Sequence, residues 1–262
     1  MLRIAVALLF AASSALVAFE TAGQAQPKEP AYEPQVGQEG KDVVWVPTPQ
    51  PVVDKMLDMA KVTSKDFLMD LGSGDGRTVI TAAKRGARAT GIEYNPDMVE
   101  LSRRNARTER VTDKATFTQA DLFTVDLSKA TVITMFLLPE INRKLRPTIL
   151  KLKPGTRVVS NTFTMGEWQP DESHTVENCE SSWCTVLFWV VPAQVAGNYK
   201  TAQGEFSITQ DFQMLTGVLK TGGKTMPIEG KVLGEEITLS TGSGAGAKTW
   251  RGKKNGSSLE LK

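Results

Sequence analysis

The chain has 262 residues, 40% of them apolar and 23% charged, and a formal net charge of +2. This composition fills a globular core and excludes a disordered or fibrous protein, while the length suits one medium domain with a small addition. The charge is too small for the electrostatic footprint of a dedicated nucleic-acid binder.

The N-terminus departs from the rest. Met1-Leu2-Arg3 supplies a positive end, residues 4–19 carry no charge, and Gly23-Gln24-Ala25 places small residues where a signal peptidase reads. The apolar run is shorter than the roughly 20 residues of a spanning helix. Residues 1–25 therefore read as a secretory signal peptide, with an uncleaved membrane anchor over residues 4–19 as the alternative. Either places the folded part outside the cytoplasm, and the bacterial periplasm is the expected compartment. Residues 26–42, rich in Pro, Gln, Glu and Gly, read as a linker.

A helix is expected over Pro51–Ala60, where Pro favours a first turn and Val52, Val53, Met56, Leu57 and Ala60 share one face. Strands are expected over Phe67–Leu71, Ala89–Glu93, Ala115–Gln119, Val132–Met135 and Arg157–Asn161. Helices are expected over Arg77–Arg85, Pro96–Glu109 and Glu140–Leu152, the last interrupted by Pro147. This alternation predicts an α/β domain over residues 43–192, its mainly parallel sheet covered on both faces. Thr175–Glu177 and Thr185–Val191 have only a hairpin between them. If they pair, a Cys179–Cys184 disulfide can staple the tip, which fits an oxidising compartment; two unpaired thiols are the alternative. A zinc site would need four ligands, and the only histidine, His174, reads as a loop residue, so no metal is expected.

From about Ala193 helical periodicity stops and Gly, Thr and Ser become frequent. Gly197–Thr201, Gly204–Gln210, Met214–Leu219, Met226–Val232, Glu236–Leu239 and Lys248–Gly252 read as short antiparallel strands. Residues 193–262 are therefore expected to form a small β-domain, a meander or partial barrel. Gly242–Gly246 reads as a flexible loop.

The chemistry concentrates in Asp70-Leu71-Gly72-Ser73-Gly74-Asp75-Gly76-Arg77, between an apolar strand and a helix. Glycines let the backbone turn sharply and let a ligand approach closely, and open α/β sheets bind ligands beyond the carboxyl ends of their strands. The dinucleotide fingerprint wants a glycine at the sixth position of such a loop; here that position is Arg77. Glu93 ends the next strand, where a carboxylate can accept from ribose hydroxyls. Asp121 follows the strand after that, where an acid can accept from the exocyclic amine of adenine. Together Asp70, Gly72, Gly74, Gly76, Glu93 and Asp121 describe a site for an adenosyl ligand. The alternative reading is three unrelated acids that cap the helices following them.

Several stretches carry a resemblance: Val46-Pro47-Thr48-Pro49, the glycine loop, Gly91-Ile92-Glu93, Asp126 to Val132, Phe136-Leu137-Leu138, and Leu152 to Ser160. Over residues 43 to 175 the chain resembles the archaeal and mitochondrial seven-strand protein-lysine methyltransferases. Its glycine loop is also similar to that of the seven-strand histone-lysine methyltransferases. The resemblance implies a Rossmann-like class I fold, whose parallel sheet an antiparallel hairpin closes. It further implies bound S-adenosyl-L-methionine, methyl transfer to protein lysine, and Thr48 with its neighbours closing over the cofactor. Where the family usually has His-Glu-Phe after Val-Val-Ser, this chain has Asn161-Thr162-Phe163.

In-line methyl transfer mainly requires positioning, so no catalytic residue is singled out. A neutral lysine amine would suit an apolar channel, for which Trp45, Phe136, Asn161 and Trp168 are candidates; Trp168, among polar neighbours, is expected at a surface or rim. Core packing is the other reading of the aromatics. Arg103, Arg104, Arg107 and Arg110, interspersed with Glu100 and Glu109, read as a solvated, paired helix face. The expected activity is protein-lysine methylation. A small-molecule N- or O-methyltransferase is one alternative, and a secreted non-catalytic module that keeps the fold is another.

Overall fold

The computed structural model describes residues 32–242 and 246–262. The expected signal peptide, the start of the linker and the middle of the Gly242–Gly246 loop lie outside the described residues.

The first region alternates strands and helices: α1 (Gln50–Met59), β1 (Phe67–Leu71), α2 (Arg77–Lys84), β2 (Arg88–Glu93), α3 (Pro96–Thr108), β3 (Ala115–Gln119), β4 (Val132–Met135), α4 (Pro139–Ile149) and β5 (Arg157–Asn161). A hairpin of β6 (Glu172–Thr175) and β7 (Thr185–Val190) completes it. The sheet order is β3-β2-β1-β4-β5-β7-β6. β1 to β5 are parallel, and β7 runs antiparallel to both β5 and β6.

Alternation along the strands sends side chains to two cores. Leu68, Val132, Val159 and Phe188 join Val52, Leu57, Val79 and Val99 of α1, α2 and α3 on one face. Met69, Ile133, Val158 and Leu187 join Ile141, Leu145 and Ile149 of α4 on the other. Local chemistry sets the helix ends. Asn95 caps α3 by accepting from the Asp97 and Met98 amides, and Pro96 opens its first turn. Pro147 stays inside α4, close to an end three residues short of the expected Leu152.

Residues from Tyr32 onward do not stand clear of the sheet as a free linker would. Arg104 of α3 donates to the Tyr32 carbonyl (2.8 Å), Gln38 donates to the Tyr32 hydroxyl, and the Trp45 amide donates to Gln38 O (2.9 Å). They form a strap across the rim of the sheet.

The second region is a seven-strand antiparallel meander: β8 (Gly197–Thr201), β9 (Gly204–Asp211), β10 (Met214–Thr221), β11 (Lys224–Leu233), β12 (Glu236–Ser240), β13 (Thr249–Asn255) and β14 (Ser258–Leu261). β14, which has no counterpart among the expected strands, returns beside β8 and nearly closes a barrel, with Gln203 donating to Leu261 O (3.1 Å). Phe206 and Trp250 meet edge to face inside it (5.6 Å).

The two regions dock through a turn. Phe212, between β9 and β10, stacks on Trp168 (6.3 Å between centroids) beneath the Arg146 guanidinium. The buried Gln213 donates to Gln169 O (2.7 Å), and Lys231 pairs with the buried carboxylate of Asp171 (2.7 Å). This docking corrects the expectation for Trp168. Its indole is fully buried, packed between Trp189 and Phe212, and lies neither at a rim nor in a channel. His174 likewise is not a loop residue: it sits exposed in edge strand β6, opposite Val186.

Candidate functional site

Five parallel strands end at one rim, where a cavity of about 230 Å³ opens. The glycine loop forms its floor. Gly72, Gly74 and Gly76 adopt φ of 76°, 53° and 83°, a left-handed conformation costly for any residue with a Cβ. The Gly72 and Ser73 amides both donate to Ile92 O at the end of β2. From outside, Ser102 of α3 donates to Gly74 O and Asn105 to Asp75 O. A Cβ on Gly74 would lie 2.6 Å from the Trp45 indole nitrogen, and one on Gly72 would lie 3.0 Å from Leu137.

Glu93 holds the loop from its other side. One carboxylate oxygen accepts from the Gly74 amide (3.0 Å) and the other from the Tyr94 and Asn95 amides (2.9 and 3.0 Å). A carboxylate offers about four acceptor positions, so one remains for a ligand hydroxyl. Asp121 accepts from the Phe123 amide (2.9 Å) and from Lys41 of the strap (2.6 Å). The hydrogen bond from Lys41 holds its carboxyl below the usual range. Asp70 is different: it is buried, and its one side-chain partner is the Thr134 hydroxyl (2.6 Å). Burial pushes its carboxyl up to about 7, against the Thr134 hydrogen bond and aided by the nearby Asp75 and Glu93.

Thr48 is buried in the strap and lines the cavity. Its carbonyl accepts from Arg77 (2.9 Å), which is also forked onto Asp75. Arg77, where a dinucleotide site would carry glycine, thus ties the strap down over the loop.

The other half of the cavity is aromatic. Phe136 stacks on Phe163 (5.8 Å) and meets Trp183 edge-on (6.0 Å), and all three line the cavity. Topology brings them together. Met135 pairs with Leu71, so Phe136 follows directly beside the glycine loop. Phe163 lies just beyond β5. β7 runs the opposite way, so its beginning, with Trp183 just before it, falls at the rim where the parallel strands end. Sequence reasoning missed Phe163 and Trp183 as site residues; the available signals were the aromatic after Asn161-Thr162 and the tryptophan between two cysteines. Cys179 and Cys184 are joined by a disulfide at the hairpin tip. Asn161 does not line the cavity. It is buried in β5, where its side-chain oxygen accepts from Thr162. Among the described residues, no cluster of His, Cys, Asp or Glu could hold a metal ion.

Against this geometry stands a protein-lysine N-methyltransferase of the archaeon Saccharolobus islandicus, 46% identical over 139 residues that span 52% of this chain and 86% of the relative. The chain belongs to the S-adenosylmethionine-dependent protein-lysine N-methyltransferases. The family model described as the ANTKMT methyltransferase domain matches residues 70–172. The adenine nucleotide translocase lysine N-methyltransferase of Mus musculus is 37% identical over 105 residues, 39% of this chain and 46% of the relative. The crystal structure of an RNA methyltransferase from Salinibacter ruber, in complex with S-adenosyl-L-homocysteine, is 50% identical with a TM-score of 0.54. It is matched over 96% of its length by 57% of this chain.

The cavity suits the family's donor. Gly72 and Gly74 keep its floor bare, whereas Gly76 lies outside the lining, close against Phe117, and Ser73 Oγ is buried with no partner. Glu93, Asp121 and the Thr48 strap supply acceptors and a roof over the polar half of the lining.

Proposed function

We propose that this methyltransferase modifies lysine side chains of exported or envelope proteins. The observation that carries this reading is the division of the cavity. Acids stand at the ends of β1 and β2 and after β3, whereas Met135, Phe136, Leu137, Leu138, Phe163 and Trp183, at or beyond the ends of β4 and β5 and before β7, bear no ionisable group.

The bound donor supplies a methyl carbon already activated by its positive sulfonium. The chain's own residues must orient the acceptor and make it a nucleophile. A lysine entering the aromatic half loses its water, and burial of a cation beside another positive charge lowers its pKa. No residue of that half can take the proton, so it passes to solvent before the amine is enclosed. The flat faces of Phe136 and Phe163 favour the aliphatic stem, and their negative π faces attract the ammonium while it remains charged. Glu93 and Asp121 orient the donor, and the strap, fastened by Arg77, excludes water from it.

The N-terminal signal pattern and the Cys179–Cys184 bridge support a site of action outside the cytoplasm, where disulfides persist. Incubating the purified protein with methyl-labelled donor and an envelope-protein extract is expected to place label on lysine. Label in added RNA or only in small molecules would replace the acceptor, and no calorimetric response to the donor would favour a non-catalytic module. Cell fractionation with N-terminal sequencing tests the compartment.

A further inference from the structure

We infer that Trp183 is a specificity-determining wall for the acceptor, and that the Cys179–Cys184 bridge is the device that holds it there. The inference rests on the lysine-methyltransferase reading and extends it to residues outside the donor site.

Trp183 belongs to neither sheet core. It lies in the loop between β6 and β7, half-buried, and meets Phe136 at 6.0 Å in the aromatic corner of the cavity. A tryptophan on a free loop would lose substantial conformational entropy on being fixed. Here the loop is closed three times. The disulfide joins the residue just after Trp183 to one four residues before it. The Val176 amide donates to Cys184 O (2.8 Å), continuing the hairpin ladder one step beyond Thr175. The Trp183 amide donates to the Ser181 hydroxyl (3.1 Å). The indole is therefore presented by a covalently shortened loop on the side of the cavity away from Glu93 and Asp121. Those acids stand on β2 and after β3, at the far end of the sheet order from β7. A change at Trp183 should accordingly alter acceptor recognition and leave donor recognition alone.

The test uses the full chain, with donor affinity read by calorimetry and methyl transfer to a lysine-bearing acceptor read over a range of acceptor concentrations. Trp183→Ala is expected to raise the acceptor KM by about tenfold, the loss for one well-packed aromatic contact, with donor affinity unchanged. Trp183→Phe should recover most of that loss. The double variant Cys179→Ser with Cys184→Ser should raise the acceptor KM in the same direction and reduce the further effect of Trp183→Ala. Unchanged KM in Trp183→Ala overturns the inference by itself. So does a loss of donor affinity equal in factor to the rise in acceptor KM, which would mark a merely structural role. A parent protein that binds the donor but transfers nothing to lysine overturns this inference together with the reading beneath it.

Discussion

Both sheets of this chain have seven strands, yet only one of them gathers chemistry. In the mixed sheet, β1 to β5 all point the same way, so their carboxyl ends share a rim. Asp70, Glu93, Asp121, Phe136 and Phe163 are distant along the chain and converge there because every crossover returns to the same starting edge. In the meander, each strand reverses its predecessor, and successive turns fall on opposite rims. Its interior is mainly apolar, centred on Phe206, Leu215, Ile237 and Trp250. Convergence, more than composition, separates a site from a scaffold here.

The largest expected effect comes from spoiling the converging rim. Gly74→Ala places a Cβ in a left-handed conformation and within 2.6 Å of the Trp45 indole. Donor affinity should fall roughly a hundredfold by calorimetry, from backbone strain of about 1–2 kcal/mol and displacement of the strap. Next, Glu93→Ala removes the acceptor for three amides and for the ligand. A loss of about tenfold in donor affinity is expected, at the scale of one charge-assisted hydrogen bond; unchanged affinity would remove Glu93 from the donor site.

A third change separates the two sheets. Phe212→Ala deletes the stack on Trp168 and should cost about 2 kcal/mol of stability in thermal or urea unfolding, with donor affinity intact. Reduced donor affinity in that variant would show that the meander supports the rim after all. The smallest effect is a pH dependence. Asp70 titrates near 7 when folded against about 3.9 when unfolded, so the folded state binds the proton more tightly. Its stabilising contribution is full below about pH 4 and is lost as pH rises through 7. Without donor, the protein should lose about 1 kcal/mol between about pH 6 and pH 8, seen as a falling Tm, and Asp70→Asn should flatten that slope.

What could be read from the sequence follows the same physics. β1, β4 and β5 are buried on both faces and announce themselves by short apolar stretches, Phe67-Leu68-Met69, Val132-Ile133 and Val158-Val159. The glycine loop and its acids were legible because strand ends mark where a parallel sheet opens. β6 was displaced from its expected place because Glu172–Thr175 is exposed at every position and has no apolar signature. β14 buries little beyond Leu259 and was missed for the same reason. Trp168 was misplaced because its polar neighbours, Glu167 and Gln169, say nothing of Phe212 arriving from another region to cover it. Trp183 was invisible as a site residue because only the reversed direction of β7 carries it to the rim.

That reversal has a consequence for how such enzymes diversify. The segment joining β6 and β7 hangs from the sheet's border, and its length can change without shifting the register of β1, β2 or β3, which place Asp70, Glu93 and Asp121. With Trp183 as the acceptor wall inferred above, exchange of this hairpin tip alone is expected to re-aim the catalyst at a new target while the methyl supply stays untouched.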